Sequence, residues 1–306
     1  MIETAHEPVL YHEIILALNP KHRGHYVDGT LGAGGHAAGI LKASAPDGEL
    51  LGLDVDPQAL ELAKKKLAEF GPRVTIIRAS YTTLTEQLAK LGWTTIEGML
   101  LDLGASSMQF DTPKRGFSFQ SAGELDMRFD PTNPLTAAHL VNELSEAELA
   151  NLLFRYGEEP RSRQITKAVI AARPIVSTIQ LAEIINSVTP SRDRLHPATR
   201  TFQALRIAVN DELMAIEKVL PQAIHALSSG GRLAVISFHS LEDRIVKSFF
   251  RQESKDCLCP PRQPICNCGH KASIRELNRR PGQPTDQEFS RNPRARSAKL
   301  RVVEKI

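Results

Sequence analysis

The chain has 306 residues, 42% of them hydrophobic and 24% charged; at roughly 150 residues per domain, that length suggests about two domains. This balance excludes collagen-like, disordered and coiled-coil chains, and no apolar run approaches the roughly 18 residues of a membrane helix. The start carries no basic-then-apolar leader, because His6-Glu7-Pro8 interrupts it, and all four cysteines fall between 257 and 268, which argues against a disulfide-stapled secreted fold. A cytoplasmic protein with no membrane partner is expected. The net charge of +3 is uneven: residues 251–306 hold 13 Lys/Arg against 6 Asp/Glu, a net of +7, while residues 1–250 hold 25 against 29, a net of −4. A basic tail on a near-neutral body suits a polyanion such as RNA; the alternative is a solubilising surface.

In chain order, a short strand ends at Asp28 and a helix covers Ala37 to Ala43. The apolar strand Glu49 to Asp54 follows, then a helix from Pro57 to Phe70 with proline at its start. Val74 to Ile77 is a third strand, Leu84 to Leu91 a helix, and Gly98 to Asp102 a fourth strand, apolar throughout. Continuous apolar strands separated by helices imply a parallel sheet covered on both faces. A helix from Glu212 to Leu227, the turn Ser229-Gly230-Gly231 and a fifth strand from Arg232 to Phe238 come next, and Ala298 to Val303 is a last strand.

Asp102 and Arg232 are 130 positions apart, whereas one crossover helix and its loops need about 30–40 residues. The surplus reads as helices: Ser145 with Glu148 three residues on is a capping box, and segments near 158–172, 178–188 and 199–211 follow. The reading is a Rossmann-like α/β sheet domain over 1–108 and 214–306, interrupted by an all-helical insert over 109–213.

The loop Asp28-Gly29-Thr30-Leu31-Gly32-Ala33-Gly34-Gly35-His36 joins the first strand to a helix, and its glycines allow a tight turn and close approach of backbone to ligand. Asp54 ends the second strand, where a carboxylate accepts hydrogen bonds from both hydroxyls of an adenosine ribose. Together they point to an adenosine-containing cofactor. Gly32-x-Gly34-x-x-Ala37 also fits a dinucleotide fingerprint, so an NAD-dependent oxidoreductase competes. Asp28 favours S-adenosylmethionine, since a carboxylate attracts the methionine ammonium and repels a pyrophosphate; its plain alternative is a turn cap. No Gly-Lys-Ser/Thr sequence supports an ATPase. Tyr81, just past the third strand, is placed to lie against adenine or simply at the rim.

Several longer motifs carry a resemblance. Asp28-Gly-Thr-Leu-Gly-Ala-Gly-Gly-His36, Leu101-Asp-Leu-Gly-Ala-Ser-Ser-Met-Gln109, Arg115-Gly-Phe-Ser-Phe119, Leu125-Asp-Met-Arg128, His196-Pro-Ala-Thr-Arg-Thr-Phe-Gln203, Ile236-Ser-Phe-His-Ser-Leu-Glu-Asp-Arg244 and Asn292-Pro-Arg-Ala-Arg-Ser297 closely resemble the ribosomal RNA small subunit methyltransferase H family. The resemblance runs from Pro8 to about Val303. It implies a bacterial enzyme that uses S-adenosylmethionine to methylate the N4 amine of one cytidine in the decoding region of 16S rRNA. It also implies a class I methyltransferase sheet, with the insert recognising substrate. The partner is then 16S rRNA or the small subunit, not DNA; a homodimer is compatible with it. Gly34, Gly35 and His36 would line the methionine side of the cofactor, Asp54 would hold the ribose, Tyr81 would supply an aromatic face, and Asp102 and Gln109 would complete the pocket. For His36 the alternative is a local contact at a helix start. A non-catalytic ribosome-binding factor on the same fold is a further alternative.

Asp102 is the carboxylate at the fourth strand's end and the expected catalytic residue, orienting N4 or stabilising its developing charge. Many amino-group methyltransferases carry an acidic or amide residue, two prolines and an aromatic there; this chain has Asp-Leu-Gly-Ala, which leaves a cofactor contact as the alternative role. Phe117, Phe119 and Phe129 could stack on an unstacked base or anchor their loop to the core. Arg128 and Arg200 are candidates for phosphate contacts. Ser240 with Asp243 reads as a helix cap, and His239 as a residue near the substrate pocket. Cys257-x-Cys259 and Cys266-x-Cys268, with His270 nearby, offer four thiols in twelve positions. Thiolates bind zinc tetrahedrally, but the one-residue gaps are tighter than usual and Pro260, Pro261 and Pro264 stiffen the loop. Free thiols are the default in a reducing cytosol, so no metal is assigned. Arg275, Arg279, Arg280, Arg291, Arg294, Arg296, Lys299 and Arg301 cluster in the tail, several of them expected on rRNA backbone.

Overall fold

In the computed structural model, the described residues are 8–189, 196–260, 263 and 265–306. His6, Glu7, Pro261 and Pro264 lie outside them. The chain divides into two compact units, one of residues 1–104 and 213–306 and one of residues 105–212.

The first unit is a sheet of seven strands: β1 (His25–Asp28), β2 (Glu49–Asp54), β3 (Val74–Arg78), β4 (Ile96–Asp102), β5 (Leu227–Ser237), β6 (Ile274–Glu276) and β7 (Lys299–Lys305). Their order is β3-β2-β1-β4-β5-β7-β6. The first five run parallel, and β7 is antiparallel to β5 and β6. The expected sheet is thus parallel except for its last added strand, which enters from the other end. The sequence reading did not include β6, whose three residues carry no pattern of their own.

Helices α1 (Tyr11–Leu18), α2 (Gly35–Ala43), α3 (Pro57–Leu67) and α4 (Leu84–Leu91) belong to this unit. Alternation along the strands feeds two cores. Val27, Leu51, Met99, Leu101 and Val235 pack with Leu84 and Leu88 of α4 on one side. Their neighbours Tyr26, Leu50, Leu100, Ala234 and Ile236 pack with Ile14, Ile40 and Leu60 on the other. Both faces are therefore covered, which is why these strands read as unbroken apolar runs.

The strand β5 starts earlier than expected. Ile96 pairs with Leu227 and Gly98 with Arg232, so Ser228–Gly231 form a bulge inside the strand, and Gly230 at φ 81° supplies the left-handed residue.

The second unit holds α5 (Ser107–Asp111), α6 (Ala137–Glu143), α7 (Glu146–Gly157), α8 (Ser162–Ala171), α9 (Thr178–Val188) and α10 (Ala198–Asn210). Ser145 accepts from the Glu148 amide in the expected capping box. Phe117, Leu140, Leu153, Ile165, Leu181 and Phe202 build its core.

In the sheet unit, α11 (Glu212–Ala226) leads into β5, α12 (Ser240–Glu253) leaves it, and α13 (Asp286–Arg291) precedes β7. No helix of the described residues is long and apolar enough to cross a membrane.

The expected cap of Ser240 with Asp243 is corrected. The N-cap is His239, whose Nδ1 accepts from the Glu242 amide, while the Glu242 carboxylate accepts from the amides of Phe238 and His239. Asp243 instead receives Arg301 Nε at 2.7 Å and Lys299 Nζ at 3.4 Å. Burial pushes the Asp243 carboxyl up, but the two cations outweigh it and hold the group below its ordinary value. The depressed value makes the pair stabilising above the unfolded carboxyl range and lost as pH falls through the folded value. Replacing Arg301 with methionine should lower unfolding stability by about 2 kcal/mol. That is less than the roughly 3–5 kcal/mol of a fully orphaned buried charge, because Lys299 still faces Asp243. Urea denaturation near neutral pH with an unchanged m-value checks it.

Candidate active site

Three parallel strands end on a carboxylate: Asp28 on β1, Asp54 on β2 and Asp102 on β4. The carboxyl edge of such a sheet, beside β1, is where ligands of doubly wound folds sit. The loop after β1 is fastened across this edge. The Gly29 amide donates to Leu100 O at 3.0 Å and the Leu31 amide to Leu53 O at 2.9 Å. The Gly32 amide reaches Asp54 Oδ2 at 2.8 Å, and the Asp102 amide donates to Thr30 Oγ1 at 2.7 Å. Gly34 lies at φ 78°, and a side chain at Gly35 would collide with Pro8, so both glycines are required by backbone shape and packing before any ligand is considered.

Asp28 is buried, with Oδ1 accepting from the Thr30 amide at 3.2 Å; the turn-cap role anticipated for it is real. Desolvation pushes its carboxyl up to about 7. His36 and the Thr30 amide pull it down, while Asp102 and Asp54 raise it further. Burial likewise raises Asp54, against the amides of Asp56 and Gly32.

His36 stands in the first turn of α2, buried, with its ring stacked 6.2 Å from Tyr11. Its Nε2 is 3.7 Å from Asp102 Oδ2. Neither ring nitrogen, nor Asp102 Oδ1, has a hydrogen-bond partner among the described residues. The alternative of a local backbone contact for His36 is therefore not what the structure shows. Buried polar atoms normally find partners, and these three are left without one at the strand edge. Tyr81 follows β3, and its Cβ lies 3.2 Å from where a side chain on Gly29 would begin, against the floor of the same loop.

Gln109 belongs to the helical unit. There its side chain accepts from the Ser106 amide while its own amide donates to Ser106 Oγ. The three phenylalanines are in that unit's core: Phe117 stacks on Phe129 at 5.6 Å, and Phe119 on His196 at 4.5 Å and edge-on to Phe202. The anchoring alternative holds for them. Arg128 is also corrected, for its guanidinium is consumed by Asp126 and by the carbonyls of Pro131 and Asn133. Arg200 is exposed.

Beyond β5, Phe238, His239, Ser240, Arg296, Ser297 and Lys299 line a cavity of about 340 Å³. The sequence reading named His239 near a pocket but did not join it to the tail motif Asn292–Ser297. Of the tail cations, Arg301 and Lys299 serve Asp243 and Arg275 serves Glu304.

A mostly parallel sheet in this order, with a Gly-rich first loop and acids on neighbouring strand tips, defines the S-adenosylmethionine-methyltransferase type of fold, here with a helical insert. The chain belongs to the MraW methylase family, whose model matches residues 3–306. It is similar to the "Ribosomal RNA small subunit methyltransferase H" of Dehalococcoides mccartyi, 50% identical over 100% of this chain and 88% of that one. It is equally similar to that of Geobacter sulfurreducens, 50% identical over 99% of each chain. Among solved structures, an rRNA methylase from Clostridium thermocellum aligns with a TM-score of 0.46 at 13% identity, over 96% of this chain and 95% of that one.

The raised Asp28 carboxyl has a measurable consequence. The folded chain holds a proton up to about pH 7 that the unfolded chain releases near 3.8. The stability this group contributes is thus complete below about pH 4 and lost as pH rises through about 7. In Asp28→Asn that slope should disappear. Subtracting the variant's stability-versus-pH curve from that of the parent, both by denaturant titration, should leave a decline confined to this window.

Proposed function

We propose that this chain is a cytoplasmic enzyme that transfers the methyl group of S-adenosylmethionine to the N4 amine of a cytidine in 16S rRNA. The names of its close relatives support the substrate class. The observation that carries the chemistry is the buried His36 beside the half-buried Asp102, with unpartnered polar atoms on both at the strand edge. The residues fit the cofactor. The Asp54 carboxylate accepts the amides of Gly32 and Asp56 and retains lone-pair capacity for a ribose hydroxyl. Asp28 lies where the methionine ammonium would lie; a cation there would draw the proton off its raised carboxyl and pair with the carboxylate, which a pyrophosphate would not do. Gly34, Gly35 and His36 form the methionine side and Tyr81 the aromatic face, while the helical insert recognises the RNA.

The bound cofactor supplies a methyl carbon already made electrophilic by its sulfonium. The chain's task lies with the nucleophile, since the N4 lone pair is delocalised into the cytosine ring. The site must hold N4 about 3 Å from the methyl carbon, in line with sulfur. Asp102 Oδ1 accepts a hydrogen bond from the amine, fixing its direction and stabilising the positive charge that builds on nitrogen. His36 stands against Oδ2 and steadies the carboxylate. Asp102→Asn should keep S-adenosylhomocysteine affinity within about twofold and lower single-turnover methylation by roughly 10²-fold. Nucleoside mass spectrometry on small subunits from a strain lacking the enzyme reads the product. Full turnover by the variant would remove Asp102 from the reaction, and no N4-methylcytidine from the parent would end the proposal.

The exposed cations Arg294 and Arg296 extend the site toward phosphate. They sit on a short helical turn, Pro293–Ser297, whose Ala295 is fully buried, so they are presented by a fixed piece of backbone. Replacing both with glutamine should weaken RNA binding. It should also reduce the slope of log affinity against log salt by about 1.4, at roughly 0.7 per single-strand phosphate contact; filter binding across a salt series measures both.

A further inference from the structure

The connection from α12 to β6 carries the four cysteines, and none of the methyl-transfer chemistry uses them. In the sequence they form two Cys-x-Cys pairs; in the structure the pairs face each other. Cys257 Sγ lies 3.4 Å from Cys266 Sγ and 3.8 Å from Cys268 Sγ. Cys266 Sγ lies 3.9 Å from Cys259 Sγ and 3.6 Å from Cys268 Sγ. All four sulfurs fall within 4.8 Å of one another. Four sulfurs around one zinc at about 2.3 Å are separated by about 3.8 Å along each edge of the tetrahedron. The four shortest observed separations, 3.4–3.9 Å, lie near that value. They are far longer than the roughly 2.05 Å of a disulfide, and all four cysteines are free.

We propose that Cys257, Cys259, Cys266 and Cys268 form a structural zinc site, a knuckle that fixes the connection between α12 and β6.

The surroundings suit metal-bound thiolates. The Cys259 amide points at Cys257 Sγ and the Leu258 amide at Cys268 Sγ, both at 3.4 Å; such amides stabilise charge on ligand sulfur. Both ends of the knuckle are tied down. The Ser273 amide donates to Glu253 O at 2.9 Å, and His270 Nε2 lies 3.2 Å from Gln252 O. Only a small part of this segment is apolar and buried, so a metal would supply the cohesion that a core supplies elsewhere. An all-thiolate, tetrahedral set selects zinc over magnesium or calcium, and a single compact cluster of sulfurs suits one ion. With four ligands from the chain, no position is left open for catalysis. The four thiol protons pass to solvent as the ion binds. The sequence reading took free thiols as the default of a reducing cytosol; the proposal takes metal-bound thiolates instead.

The test uses the full chain, purified under reducing conditions without chelator. Elemental analysis should find close to one zinc per chain, and a thiol reagent should titrate none of the cysteines until denaturant and chelator are added, when all four react. Cobalt(II) exchanged into the protein should show thiolate-to-metal charge transfer. The double variants C257S/C259S and C266S/C268S should lose the metal and become readily cleaved by protease between α12 and β6. Their S-adenosylhomocysteine affinity and helical content should be retained, separating loss of the knuckle from failure to fold. Four freely reactive thiols, with no zinc retained after incubation with one equivalent of zinc chloride and desalting, would overturn the proposal. So would recovery of the cysteines as disulfides.

Discussion

Three carboxylates brought to one edge of a parallel sheet are the constraint around which the first unit is organised. Each closes an apolar strand; Asp28 is drawn out of water by the strands beside it, while Asp54 and Asp102 are half-buried. Like charges so placed repel, which is why burial together with Asp102 and Asp54 keeps a proton on Asp28. The chain offsets part of that repulsion internally. The Gly32 and Asp56 amides hold Asp54, the Thr30 amide holds Asp28, and the His36 ring stands against Asp102. The rest suits a ligand with positive charge. A sulfonium with an ammonium beside it has that character; a dinucleotide's pyrophosphate does not. The electrostatics of the edge thus discriminate between two cofactor classes that share the sheet.

The glycine loop makes this edge possible. Its amides and the Thr30 hydroxyl reach β2 and β4 at the same time, so the loop ties three strand ends into one rigid ledge. A site held on such elements keeps its groups in place more closely than one carried on a free loop. His36, the first side chain available after the glycines, is delivered against Asp102 by the start of α2. The family's methyl-transfer chemistry asks for positioning above all, since the methyl carbon is already reactive, and a rigid ledge meets that need.

Much of this was legible in the sequence because it rests on local signals. The strands show as apolar runs, the first loop as glycines between strand and helix, and the insert as surplus length between Asp102 and Arg232. What escaped was set by partners distant in the chain. The Ser228–Gly231 bulge depends on Ile96 pairing with Leu227, and Gly-Gly by itself signals only a turn. The strand β6 exists because β7 offers it an edge. His239 displaced Ser240 as the cap of α12 because Glu242 answers it reciprocally, a pairing that residue preferences rank low. Arg128 looked free for phosphate until Asp126 and two carbonyls closed around it.

The same separation of partners decides what the basic tail means. Composition counts every arginine alike, yet the tail's cations fall into two kinds once the strands are in place. Lys299 and Arg301 alternate with apolar residues on β7 and turn inward to Asp243, and Arg275 on β6 crosses to Glu304. Their charge is spent within the fold: the first two attach β7 to α12, and Arg275 joins β6 to β7. Arg294 and Arg296 precede the strand, where Ala295 and Ala298 occupy the core positions, and the Arg296 guanidinium lies over the Phe289 ring. Arg296 also borders the cavity beyond β5. The excess positive charge of the last 56 residues is therefore not one feature: part of it locks the sheet edge, while Arg294 and Arg296 stand exposed on the turn before β7.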